Sequence, residues 1–267
     1  MGEKYDSIKN FEEQLSNKLK GAFLKERMIF ERMSELFLEA IKPLSGYWKD
    51  DSQGQPMLML LNSRMFNDFE SAKCLLMWGL PEQAVMPMRD TIECMMLMRL
   101  TEHKPELAKR WITNLAEYSP GNVNTELKKL KIEAPEYTLY PMLSQRSHSN
   151  LLASITRVEE ETLSNGNIYL KFHFGGYTNL KLIAQDFLLL LILEFLALTG
   201  PLARIYASFV EDYKKWWDSV MAFLPELEEL GAEITVTDEK TVDPKTAKLI
   251  AKRIKIRQIL SFRDEEE

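Results

Sequence analysis

Apolar residues recur along much of the chain every three or four positions, the spacing of a helix that packs on one face. Residues 6 to 44 have this spacing, which predicts one long helix or two helices that meet near Gly21. It returns in Met57 to Gly79 and in Glu82 to about Lys104, on either side of a Gly-Leu-Pro sequence that ends one helix and begins the next. Because proline disrupts a helix interior, Pro87 predicts a late start or a kink in the latter segment.

The rest of the chain has the same pattern with one interruption. We expect a further helix from Pro105, and another from Pro141 to about Thr162. Apolar residues then alternate with polar ones between Ile168 and Phe174, which predicts a short strand or an extended loop. Helices from Asn179 to Leu198 and from Pro201 to about Phe223 follow. Short connections favour antiparallel neighbours, so we predict an all-α antiparallel bundle with a short β or extended insertion near 166–176.

Three regions follow from these elements. Residues 1–50 form an N-terminal long helix or helix pair, residues 55–228 the main helical bundle domain, and residues 229–267 a separate C-terminal tail. The tail contains a basic amphipathic segment, KTAKLIAKRIKIRQ, which we interpret as the solvated face of a terminal helix or as a dimer arm. Its lysines and arginines are also suited to contact a phosphate backbone or a partner protein.

Composition places the protein among globular chains. Hydrophobic residues make up 45% of it, and the formal net charge of -6 argues against a surface that is basic throughout. Cys74 and Cys94 lie in apolar helical patterns, which favours a reducing cytoplasm, and the charged N-terminus does not resemble a secretory signal. The apolar stretch Phe187 to Gly200 is shorter than the about 20 residues of a membrane span and contains Glu194, so we expect a buried helix and no membrane association.

Cofactor motifs are absent from the sequence. It has neither the glycine-rich phosphate loop of nucleotide enzymes nor a dinucleotide-binding glycine pattern. Its three histidines lack the spacings of helical metal sites. We therefore expect no cofactor and no metal.

Two helical segments contain candidate site residues. Arg89 and Glu93 are four residues apart on a helix rich in methionine, with Asn62, Arg64 and Asp68 of the preceding helix as possible partners. In YPMLSQRSHSN, a helical spacing places Tyr140, Ser144 and His148 on one face and Arg146 elsewhere. A histidine titrates near neutral pH and can transfer a proton. The alternative is that both groups are structural and satisfy buried polar atoms.

The order of these segments resembles a largely uncharacterised bacterial family of helical domains. The RDTIE helix, KPELAKRW, YPMLSQRSHSN, a short extended break and a long apolar helix carry this resemblance, over roughly residues 55 to 220. The family is in turn distantly similar to the HEPN superfamily (higher eukaryotes and prokaryotes nucleotide-binding), whose members are helical bundles. Many are dimeric, metal-independent ribonucleases of toxin and phage-defence systems. In those nucleases an arginine precedes the histidine by four to six intervening residues, whereas Arg146 is only two positions before His148.

The resemblance implies a cytoplasmic homodimer that binds or cleaves RNA in bacterial stress or phage defence. His148 would then be the general acid or base, Arg146 or Arg89 would hold a phosphate, and Ser144, Tyr140 and Glu93 would orient them. One alternative is a non-catalytic interaction module that recruits a partner through the helix of Trp216 and Trp217 or through the basic tail. A second is a bundle that binds a small molecule in a methionine-rich pocket.

Overall fold

Helices make up most of the part of the chain that the computed structural model describes, as the all-α prediction requires. This part comprises residues 13–14, 16–42, 55–106, 118–147, 158–162, 168–172, 180–207, 213–237 and 253–258. Outside it lie most of the helix predicted from Pro105 and the candidate site residue His148.

The helices agree with the apolar spacing over most of their lengths. Helical residues 16–22 are separated by a turn at Phe23 from the first long helix. The helices are α1 (Leu24–Ile41), α2 (Gln55–Met77), α3 (Pro81–His103), α4 (Pro120–Lys129), a 3-10 helix (Pro135–Thr138), α5 (Tyr140–Ser147), α6 (Leu180–Ala197), a π-helical turn (Leu198–Leu202), α7 (Ala203–Ala207), α8 (Tyr213–Met221) and α9 (Phe223–Glu229).

Two prolines in α3 and one glycine after α6 shape this arrangement. Of the late start or kink predicted at Pro87, the late start is wrong, because α3 begins at Pro81 and contains Pro87. Proline at the first helical position costs no hydrogen bond, since that amide has no partner inside the helix. At the end of α6, Gly200 has non-helical dihedral angles, so α6 and α7 are separated by a kink.

Two antiparallel hairpins accompany the helices. β1 (Val158–Thr162) pairs with β2 (Ile168–Phe172), in the region of the predicted insertion, and β3 (Glu233–Thr237) pairs with β4 (Arg253–Gln258). Two predictions are therefore wrong: the helix expected to reach Thr162 gives way to a strand by Val158, and part of the basic tail is a strand rather than a helix. In both places the neighbouring strand favours a strand over a helix, because it supplies backbone hydrogen bonds that a local sequence pattern cannot reveal.

The core surrounds α6. Phe187, Ile192, Phe195 and their apolar neighbours on this helix are buried, with side chains of α1, α2 and α3 packed around them. Ile183–Ala207 is the one helical stretch in the described residues that is long and apolar enough to cross a membrane, and 89% of its apolar window is buried in the protein.

The two cysteines differ in their surroundings. Cys94 lies in the core as predicted, where burial raises the pKa of its thiol to about 12 and keeps it protonated. Cys74, which the apolar pattern had also placed inside, is exposed. Its position on α2 is therefore outside the packed face of that helix.

Candidate functional site

Charged and hydroxyl side chains from three helices meet beside the core. We call this group the Arg89 network. It consists of Arg64 and Asp68 on α2, Arg89, Asp90 and Glu93 on α3, and Tyr140, Ser144 and Ser147 on α5.

Arg89 is at the centre of the network and is held loosely. Its Nη1 donates a hydrogen bond to the Ser147 Oγ at 3.1 Å, while Nη2 lies 3.4 Å from an Asp90 carboxylate oxygen and Nε lies 3.6 Å from one of Glu93. The Nε atom is buried and has no hydrogen-bond partner among the residues that the structure describes. The side chain as a whole is 24% exposed, while one of its donors is unused.

Glu93 and Tyr140 join α3 to α5. The Tyr140 hydroxyl donates to the Glu93 Oε1 at 3.2 Å and also interacts with Ser144. Burial, followed by the charge of Asp90, raises the pKa of Glu93 above its usual value, although Arg89 opposes the shift. The Arg89–Glu93 pair of α3 and the Tyr140–Ser144 pair of α5 therefore face each other.

Arg64 and Asp68 extend the network onto α2. Arg64 Nη2 donates to the Asp90 Oδ2 at 2.8 Å, and its Nε lies 3.9 Å from the Asp68 Oδ2. Burial and the neighbouring charge of Asp90 raise the pKa of Asp68 to about 6, so this carboxyl titrates close to neutral pH. Asn62, suggested as a further partner, is instead buried, and its amide atoms have no hydrogen bond within the described ranges.

Arg146 lies outside the Arg89 network. Its guanidinium makes two hydrogen bonds to the Asp186 carboxylate, at 2.6 and 2.8 Å, and a third to Glu82 at 3.3 Å. Burial opposes the charged form, but the hydrogen bonds and charge of Asp186 outweigh it and raise the pKa of Arg146. Arg146 thus joins α5 to α6 and to the start of α3, and both of its terminal nitrogens are hydrogen-bonded.

A second arginine is engaged in the same way. Arg99 Nε and Nη2 donate to the two carboxylate oxygens of Glu136, at 2.8 and 3.2 Å, with side-chain exposures of 6% and 0%. Such a paired fork is a strong, oriented interaction. Arg99 also explains Gly200, because a Cβ placed on that glycine would lie 2.5 Å from the Arg99 Nη2.

The structure brings together Arg89, Glu93, Tyr140 and Ser144 of the residues proposed from the sequence. His148 is outside the described residues, but it directly follows Ser147, whose hydroxyl contacts Arg89. Sequence reasoning missed Ser147 and the bridging position of Asp90 between the two arginines. The position of Ser147 one turn after Ser144 was the available signal.

Two observations bear on the partner-binding alternative and on metal binding. Trp216 is 3% exposed and donates its indole N–H to the Leu36 carbonyl, so it is part of the core rather than a recruiting surface. Within the described ranges, no group of three or more His, Cys, Asp or Glu side chains is placed to hold a metal ion.

Comparison of the chain with protein-family models, with curated proteins and with solved structures finds no match. The geometry of the Arg89 network therefore carries the functional argument.

Proposed function

We propose that this protein is a HEPN-like helical bundle that binds RNA, and cleaves it without a metal, at the Arg89 network. The bundle resemblance is supported by the pairing of α2 with α3. Arg64 contacts Asp90 about midway along the two helices, and Met57 contacts Thr101 at the ends far from the turn that joins them, as in antiparallel neighbours. The proposal includes a cytoplasmic homodimer acting in bacterial stress or phage defence.

The observation that carries the proposal is the contrast between Arg89 and the two buried arginines next to it in the bundle, Arg99 and Arg146. Arg99 and Arg146 each form a fork with one buried carboxylate, whereas Arg89 has long contacts and an unused Nε donor. An arginine side chain that is partly exposed and incompletely paired can turn its guanidinium toward a phosphate, which accepts two parallel N–H bonds. Arg89 is therefore the arginine that we assign to the RNA phosphate, and Arg146 is assigned to helix packing.

The chemistry requires little more than this phosphate contact and one proton-transfer group. His148 removes the proton of the ribose 2′-hydroxyl, and the 2′-oxygen attacks phosphorus. The bond from phosphorus to the 5′-oxygen breaks, and that oxygen leaves with a proton from water, which yields a cyclic phosphate and a 5′-hydroxyl end. Arg89 holds the phosphate, Glu93 orients Arg89, and the Tyr140 hydroxyl holds Glu93.

The alternative is an interaction module in which the Arg89 network only fixes helix packing. The balance of charge favours it, because three carboxylates, Asp68, Asp90 and Glu93, surround two arginines. The raised pKa values of Asp68 and Glu93 reduce this negative charge as the pH falls, so phosphate binding should strengthen toward pH 6. If the network only fixes helix packing, RNA affinity should not change as these carboxylates are protonated.

The test compares RNA binding and cleavage in EDTA by the wild type, Arg89→Gln and His148→Ala. Arg27→Gln is the matched control, since Arg27 also pairs with a glutamate four residues later and is 28% exposed, but lies on α1. We expect Arg89→Gln to lower RNA affinity at least fivefold, His148→Ala to abolish cleavage, and Arg27→Gln to change neither. Equal affinity of Arg89→Gln and the wild type, or wild-type protein that binds no RNA, would refute the proposal.

The homodimer is tested separately by the mass of the protein in solution. Leu24, Met28 and Leu38 are exposed apolar side chains, and their spacing places them on one face of α1. We expect a dimer by light scattering, and a monomer at all concentrations would contradict this part of the proposal.

A further inference from the structure

Two arginines from different helices share one carboxylate in the Arg89 network. Arg64, on α2, donates from Nη2 to the Asp90 Oδ2 at 2.8 Å, and Arg89, on α3, donates from Nη2 to the Asp90 Oδ1 at 3.4 Å. Each oxygen of this carboxylate therefore faces a terminal nitrogen of a different guanidinium. Arginine donors directed at both oxygens of one anion are a means by which proteins hold carboxylates and phosphates alike.

Asp90 differs from the carboxylates that hold the buried arginines of the bundle. Its side chain is 29% exposed, whereas Glu136 and Asp186, the partners of Arg99 and Arg146, are 0% and 1% exposed. A carboxylate near the surface is solvated by water when another anion takes its partners, while a buried one would be left without solvation. Asp90 is therefore a carboxylate that a ligand can displace.

An RNA phosphodiester matches the Asp90 carboxylate in charge and in acceptors. Each has one negative charge shared between two oxygens, so an exchange of one for the other leaves both arginines with an acceptor. The exchange breaks only ion pairs of partly exposed groups, which are individually weak. The Arg64 side chain is 50% exposed, and Arg89 has an unused Nε donor, so neither arginine is locked to Asp90.

We propose that Arg64 is a second phosphate-binding arginine, and that Asp90 occupies the place of the RNA phosphate until RNA displaces it. This inference rests on the proposed RNA-binding function and deepens it: the phosphodiester is held between α2 and α3, and Asp90 is an internal competitor that lowers the affinity for it. Asp68, 3.9 Å from the Arg64 Nε, and Glu93, 3.6 Å from the Arg89 Nε, stay beside the two guanidiniums after the exchange.

The test uses variants of both partners of one ion pair. Asp90→Asn keeps the shape of the side chain and removes its charge, Asp90→Ala removes the carboxylate without adding an amide, and Arg64→Gln removes the second arginine. Arg32 on α1 and Glu226 on α9 supply the matched control, since they form an ion pair with exposures of 50% and 30%. Those of Arg64 and Asp90 are 50% and 29%. Glu226→Gln and Arg32→Gln thus change the net charge equally, away from the Arg89 network.

Two probes separate the phosphate contact from the rest of an RNA. Fluorescence anisotropy in EDTA would measure the affinity for a labelled oligouridine of about ten nucleotides. An NMR titration would measure the affinity for dimethyl phosphate, which is a phosphodiester without ribose or base. Thermal unfolding of each variant would establish that it is folded.

Removal of the internal competitor should strengthen binding. Asp90→Asn and Asp90→Ala should bind both probes about fivefold more tightly than the wild type, because ion pairs with Asp90 no longer have to be broken. Arg64→Gln should bind both probes about fivefold more weakly. Adding Asp90→Asn to Arg64→Gln should recover at most about twofold, because only the contact with Arg89 is then released. Glu226→Gln and Arg32→Gln should stay within about twofold of the wild type, since distant exposed charges are screened.

The outcomes distinguish this inference from the proposal on which it rests. If both Asp90 variants bind the probes no better than Glu226→Gln does, the displacement of Asp90 is refuted, while weaker RNA binding by Arg89→Gln would leave the proposed function standing. If Arg64→Gln binds like the wild type, the second arginine is refuted. If Asp90→Asn gains affinity for dimethyl phosphate but no protein binds oligouridine, the phosphodiester site stands and the RNA-binding function is overturned. If no protein binds either probe, both are overturned.

Discussion

Replacing Gly200 with alanine should destabilise the protein through a side chain on another helix. The new methyl group would lie 2.5 Å from the Arg99 Nη2, so the guanidinium has to move by about 1 Å to restore an ordinary contact distance. A free arginine end would move at little cost. This one is tied by two hydrogen bonds to Glu136, which is fully buried.

The size of the effect follows from what that movement breaks. The Arg99 Nη2 hydrogen bond to Glu136 is already 3.2 Å long, and lengthening it by about 1 Å ends it. One hydrogen bond to a charged group contributes about 1.5–3 kcal/mol, and breaking a buried pair altogether costs about 3–5 kcal/mol. We therefore expect Gly200→Ala to lower the free energy of unfolding by about 2–4 kcal/mol.

The assay is urea unfolding of four proteins in a double-mutant cycle. The second background is Arg99→Met combined with Glu136→Leu, which replaces the ion pair with apolar side chains of similar size and leaves no unpaired charge. In that background Gly200→Ala should cost at least about 1.5 kcal/mol less than in the wild type. Effects of the methyl group on the backbone are common to both backgrounds and cancel. An equal cost in both would refute the link between Gly200 and the ion pair.

Three further predictions concern other ionisable groups. Burial raises the pKa of Glu194 well above 4.5, so its neutral form stabilises the fold below pH 4.5 and that contribution is lost as the pH rises. In Glu194→Gln, the free energy of unfolding measured in urea should therefore decrease less with pH between pH 5 and 8 than in the wild type. The same dependence on pH in both proteins would contradict this. Asp68 should titrate at about pH 6 by carboxyl NMR and still higher in Arg64→Gln, which removes an opposing charge, whereas a value near 4 in both proteins would argue against its burial. Arg146→Met leaves Asp186 without its cation and should lower the free energy of unfolding in urea by about 3–5 kcal/mol. Adding Asp186→Asn should restore part of this free energy. A loss below about 1 kcal/mol in Arg146→Met would show that the pair does not stabilise the fold.

The sequence predicted the long helices because their apolar spacing is a local property. The expected helices at Met57 to Gly79 and Asn179 to Leu198 differ from α2 and α6 by no more than two residues at each end. The strand β4 was missed for the opposite reason. RIKIRQ alternates with a period of two inside a longer amphipathic pattern, and only its pairing with Glu233–Thr237 selects the strand.

The candidate site also has a part that the sequence predicted and a part that only the tertiary structure decided. The spacing of Arg89 with Glu93, and of Tyr140 with Ser144, determined which side chains share a helix face, since a helix repeats every 3.6 residues. Only tertiary packing decided which arginine has a buried carboxylate as its hydrogen-bond partner. Arg146 meets Asp186 and Arg89 does not meet a comparable partner, because the buried carboxylate lies on α6, 40 residues further along the chain. Whether a charged side chain is paired depends on residues that are distant in sequence, and no local pattern contains that information.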